Sequence, residues 1–261
     1  MSNKLLQWGL MLALGLPSAA QATLISRLAG QAYYDTVLDI TWLQDANLAS
    51  TNTFGVGINA SGFMQWDTAN RWITAMNANA GTGYLGINNW RLPTLSPVNG
   101  STFNFDFSNN GTTDIGFGAT GIGWRSLFVV GDFVSEMGYM FYANLGNLGA
   151  CTPDNGSPGS CQTKQAGSGL VNTAPFSNLK SVPYWSGLEF APNPSEEVWA
   201  FSFSDGGQAG SRKFNDIFAW AVRSGDVAAT VPEPGSVLLV AAGLIGLIGA
   251  KRSKRRGASF I

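Results

Sequence analysis

The sequence predicts a mixed α+β domain: two main helices packed on small antiparallel sheets, joined by long loops, with an N-terminal signal helix and a C-terminal transmembrane helix appended. Three observations predict it. Two interior stretches repeat apolar residues at helical spacing. The last third of the domain carries aromatic and β-branched runs separated by turn clusters such as Ser204-Asp205-Gly206-Gly207. The two extremities hold uncharged apolar runs next to basic residues.

The helices follow from apolar spacing. Over residues 64–77, Trp66, Ala69, Trp72, Ile73 and Met76 fall on one face, and Asp67 suits the start of the helix dipole. Gly81 and Gly83 end the stretch. Over 135–145, Ser135 is placed to cap, Glu136 sits in the first turn, and Met137, Met140, Phe141 and Leu145 form the stripe that Gly146 stops. Strands are expected from Tyr33 to Leu43 as a strand-turn-strand, and over 184–190, 198–203 and 218–222. The segment 95–132 reads as one long loop.

At the N-terminus, Lys4 precedes an apolar run over 5–16, then Pro17 and Ala20-Gln21-Ala22. Charge, apolar run and small-x-small in that order form a secretory signal cleaved after Ala22. The competing reading is a buried N-terminal helix. At the C-terminus, residues 235–250 carry no charge and are followed by Lys251, Arg252, Lys254, Arg255 and Arg256. A helix of that length spans about 24 Å, short of the ~30 Å hydrocarbon core, a gap that snorkelling Lys and Arg close. The basic cluster belongs in the cytoplasm. Everything upstream then lies on the far side of the inner membrane, with the signal peptidase and the secretion translocon as partners.

Between these ends, residues 23–230 form the exported domain. Lys4 and the five tail residues account for six of the 15 basic residues, leaving nine, and Glu233 is the one of 16 acidic residues outside, leaving 15. A balance near −6 argues against nucleic acid as a partner. Cys151 and Cys161 bracket a Gly-, Pro- and Ser-rich loop and, outside the cytoplasm, form a disulfide. The chain has no histidine, which removes Ser-His-Asp chemistry, His-ligated zinc and the usual general base. An enzyme here would run on carboxylates, and Glu189, Glu196 and Glu197 are the glycosidase-like candidates against a solvated loop.

Other candidates are for binding. Trp90, Arg91, Trp220 and Arg223 make either an Arg-aromatic surface or an aromatic core with the arginines paired to acids such as Asp39 or Glu136. Asp106, Ser108, Asn110 and Asp114, with Gly111 at the sixth position, copy the spacing of a calcium loop. Phe117 stands where the bidentate acid belongs, so a plain polar turn competes, and no other cofactor is expected. Phe103, Phe105, Phe107 and Trp124 are placed to stack on sugar rings, or, for the three phenylalanines, to form one buried strand face.

Two resemblances follow from these residues. Val231-Pro232-Glu233-Pro234-Gly235, the apolar helix 235–250 and the basic tail 251–256 resemble the PEP-CTERM sorting signal of Gram-negative bacteria. The resemblance implies an exosortase that recognises Pro232, Glu233 and Pro234 and cleaves nearby, and a surface or biofilm protein of an exopolysaccharide producer. Trp66-Asp67-x-Ala69, Trp90-Arg91-Leu92-Pro93-Thr94, Ser135-Glu136-Met137, Tyr184-Trp185-Ser186-Gly187 and Ala219-Trp220-Ala221-Val222-Arg223 resemble, in that order, the Lcl C-terminal-like domain, from Asp39 to Gly225. That implies a C-type-lectin-like or formylglycine-generating-enzyme-like fold. Together these readings lead to the expectation of a non-enzymatic, exosortase-processed surface or matrix protein whose lectin-like domain binds exopolysaccharide or another surface component. The alternatives are a carboxylate-based polysaccharide-modifying enzyme and a purely structural component.

Overall fold

The computed structural model of the chain describes residues 24–118, 135–152 and 164–227. The expected signal helix, the transmembrane helix, Trp124, Cys161 and Pro232-Glu233-Pro234 lie outside the described residues. Among the described residues no helix is long and apolar enough to cross a membrane.

The architecture is mixed α+β. Strands β1 (Leu24–Arg27), β2 (Ala32–Asp35) and β3 (Ile40–Leu43) form an antiparallel meander. The last strand of the domain, here β9 (Val222–Ser224), completes the sheet on β3. Helix α1 (Trp66–Ala78) follows, two residues later than its periodicity implied, with Ala69, Trp72, Ile73 and Met76 buried. A second sheet has the order β4 (Phe107–Ser108), β5 (Ile115–Phe117), β8 (Gly207–Arg212), β7 (Glu197–Ser202), β6 (Pro183–Glu189). Its β4–β5 pair is parallel, a departure from the all-antiparallel expectation.

Two other expectations change. The helix over 135–145 is one α-helical turn, α2 (Glu136–Tyr139), capped as expected by the Ser135 hydroxyl accepting from Gly138 N–H at 3.1 Å, and then a π-helical turn over Met140–Asn144. The Leu145 N–H reaches back to Met140 O at 2.9 Å, which closes the wider turn. The strand expected over 218–222 starts only at Val222. Residues 218–221 are apolar because they thread between the two sheets: Phe218 exchanges backbone bonds with Pro183 and Trp185 of β6, and Ala221 O accepts from Leu43 of β3. The main core gathers Trp42, Trp72, Trp90, Trp185 and Trp220 around this crossing. A satellite cluster holds Leu95, Phe190 and Trp199.

Candidate functional site

A groove of about 330 Å³ opens on one face of the second sheet, at the lower end of the ~300–1,000 Å³ range of small-ligand clefts. Its concavity is a matter of side-chain size. Alternate residues of a strand share a face, and here the floor is Ala200 and Ser202 of β7 with Ala209 and Ser211 of β8. The walls are larger: Pro183 on one side, Phe107 and Phe117 on the other. The two phenyl rings meet edge-to-face with centroids 6.0 Å apart. Gly207 lets the Phe117 ring lie against the β7–β8 turn, since a Cβ there would come within 3.3 Å of the ring.

Polar groups sit at the turn end. Asp205 Oδ1 accepts from the Gly207 N–H at 3.0 Å, and the Ser202 and Ser204 hydroxyls share a hydrogen bond of 2.7 Å. Tyr142, from the π-helical turn, ties the Phe117 wall to the β7–β8 turn. Its hydroxyl donates to Gly206 O at 2.8 Å and accepts from Gly118 N–H at 2.9 Å. Burial pushes its phenol above the ordinary tyrosine range, so it stays a neutral donor.

The residues singled out from sequence fall elsewhere, with one exception. Trp90 and Trp220 are buried at 2 % and 0 % exposure, and their indole N–H groups donate to Tyr84 O and Leu43 O. Arg91 makes a bidentate pair with Glu136 at 2.7 and 2.8 Å, and the same carboxylate accepts from the Thr94 N–H. Arg223 donates to Asp226 O, while Asp39 accepts from the Tyr34 hydroxyl. In this geometry Trp90 and Trp220 belong to the aromatic core and Arg91 is spent on a carboxylate. Arg91 and Val222 exchange both backbone bonds, Gly187 N–H donates to Pro93 O, and Trp66 Nε1 donates to Ser186 O. The motif segments therefore meet as architecture.

Of the four candidate side chains in the 106–114 loop, Ser108, Asn110 and Asp114 accept from nearby backbone N–H groups. Asp114 is fully buried, and its two carboxylate oxygens accept from Val98 and Asn104 N–H; burial raises its pKa. Ser108 Oγ accepts from Thr113 N–H, Asn110 Oδ1 from Thr112, and Asp106 is exposed. No cluster of three or more His, Cys, Asp or Glu side chains forms among the described residues. Glu189 is held by Lys213. Cys151 is 4 % exposed and not free.

The exception is Phe107, which lines the groove, whereas Phe103 and Phe105 pack on Trp199. Phe117, Ser202 and Asp205 carry no binding signal in the sequence. The only signal for them was the Ser204–Gly207 turn cluster, which marks a hairpin but not what lies across from it.

The family model of the PEP-CTERM protein-sorting motif matches residues 230–256. No curated protein and no solved structure matches the chain. The motif indicates an exported surface protein, membrane-anchored before processing, with exosortase as the processing partner.

Proposed function

We propose that this chain is a non-enzymatic surface or matrix protein whose domain binds exopolysaccharide, or another surface component of like chemistry, in the groove beside Phe117. The observation that carries the reading is the groove's make-up: aromatic rings on one wall, small side chains on the floor, hydroxyl and carboxylate oxygens at one end. Sugar rings have apolar faces and hydroxyl-rich edges, and such a site matches both. The sorting motif adds delivery to the place where extracellular polymers lie.

Membership of the Lcl C-terminal-like family and a lectin-like fold belong to this proposal, supported by the way the five motif segments pack together. So does a Cys151–Cys161 disulfide, supported by export to an oxidising compartment. Against catalysis stand the absent histidine and, among the described lining residues, the single carboxylate of Asp205; acid-base glycoside hydrolysis uses two.

A glycan array with the processed protein, run beside a reducing-sugar release assay and repeated with a chelator, tests the reading. Binding without sugar release, unchanged by the chelator, is the expected result. Release of reducing sugar would favour the carboxylate-based enzyme, loss of binding with the chelator would restore the calcium loop, and neither binding nor release would leave a structural component.

A further inference from the structure

We infer that the groove takes an uncharged, hydroxyl-rich saccharide segment and excludes sulfated and uronate-bearing chains. The inference rests on the glycan-binding reading and adds the charge of the ligand to it. Among the described residues, Asp205 is the one ionisable side chain lining the groove, and no lysine or arginine lines it. Its Oδ1 is used by Gly207 N–H, and its Oδ2 accepts no hydrogen bond from the described residues. A carboxylate oxygen in that position accepts strongly from a sugar hydroxyl and opposes a sulfate or carboxylate.

The two cations at the end of β8 do not offset this. Lys213 is held by Glu189 and Pro194 O and lies over the Trp66 ring, and Arg212 lies over Phe214. The domain as a whole is near −6. Anionic polymers are therefore disfavoured at the groove and on approach to it.

The floor also argues for a sugar over an extended peptide. Peptides add to sheets at edges, where backbone groups await partners. Here β5, β8 and β7 each pair on both sides, so the groove offers a face with its backbone already satisfied. A face floored by Ala200, Ser202 and Ala209 beside Phe117 lets a flat ring lie against the phenyl group, with its hydroxyl edge toward Ser202 and Asp205.

The test is an array of neutral, sulfated and uronate-bearing glycans, followed by calorimetric titration of the best neutral hit against the secreted wild-type protein, Phe117→Ala, Ala209→Trp and Asp205→Lys. Ala209 is exposed, so a tryptophan there fills the floor without entering the core. Both Phe117→Ala and Ala209→Trp are expected to weaken the neutral ligand about tenfold or more, a change of ~1.4 kcal/mol, with melting temperatures within a few degrees of wild type. Asp205→Lys is expected to acquire binding to a sulfated glycan. Should Ala209→Trp fail to fold, Phe117→Ala decides alone. Wild-type protein that prefers heparin or alginate to every neutral glycan overturns the inference and leaves the glycan reading standing. Neutral binding untouched by the groove variants, or self-association that Ala209→Trp abolishes, also overturns it. Binding to no glycan at all overturns the reading beneath it.

Discussion

Asp35 lies fully buried at the turn between β2 and β3, where its carboxylate accepts from Val37 and Leu38 N–H and from the Asn144 amide. Burial raises its pKa, opposed by those hydrogen bonds and aided by the charge of Glu136. A carboxyl whose folded pKa lies above its unfolded value of ~3.9 binds its proton more readily in the native state. Its contribution to stability is therefore fullest below the unfolded value and is lost as pH rises through the folded one. Asp35→Asn removes the titration while keeping the turn, because its Oδ1 still accepts from Val37 and Leu38. Asn144 Oδ1, which has no partner among the described residues, can rotate to accept from the new amide. Urea denaturation between pH 3.5 and 7 is expected to show wild type losing stability relative to Asp35→Asn as pH rises. A flat difference, or one of opposite slope, would remove Asp35 as the titrating group. Asp114, also buried and raised, adds a second contribution of the same sign that both proteins share.

Strand β8 shows why some elements were legible in the sequence and others were not. Helix α1 announces itself through five apolar residues on one face, and β6 and β7 through aromatic runs. Gly-Gln-Ala-Gly-Ser-Arg has neither pattern nor propensity, and it becomes a strand because β7 on one side and β5 on the other leave a slot for it. Gly210 pairs with Trp199, and the Phe190 ring packs on its bare Cα, so that a Cβ would stand 2.9 Å from two ring carbons. Phe190 cannot yield easily, being edge-on to both Trp199 and Phe105. Gly210→Ala is expected to cost about 1–3 kcal/mol by overpacking. Gly57→Ala, which meets nothing within 4 Å, is expected to be neutral or slightly stabilising. Calorimetric melting of both variants checks this, and equal stability would mean that Phe190 is free to move. The same long-range dependence hides the groove. Phe107, Phe117, Pro183 and Asp205 come from segments far apart in the chain, and only the β5–β8 pairing brings them to one face. The five motif segments were visible as words in the sequence, but their wording could not distinguish a surface from a core.

On the scale of the whole molecule, the first sheet is closed by the last strand of the domain. β9 pairs with β3, Gly225 N–H donates to Asp39 O and Thr41 Oγ1 to Gly225 O, and the Arg27 guanidinium holds the Asp226 carboxylate in a bidentate contact of 2.6 and 2.7 Å. The final segment is also core: Phe218 and Trp220 are 6 % and 0 % exposed. Two aromatic side chains at ~150–250 Å² each and ~25 cal/mol per Å² amount to about 8–12 kcal/mol, comparable with the ~5–15 kcal/mol that holds a whole domain together. The domain can therefore acquire its fold only once this segment is in place. The sorting motif begins at residue 230, just beyond the last described residue, Val227, so processing there leaves every contact named above intact. A chain ending after Val227 is expected to give the same near-ultraviolet circular dichroism and melting temperature as the protein recovered after processing, whereas one ending after Ile217 is expected to lack a cooperative transition. A cooperative transition in the shorter chain would show that residues 218–227 are an addition to a core that stands without them. A loss of structure in the longer one would place part of the fold inside the tail that the exosortase removes.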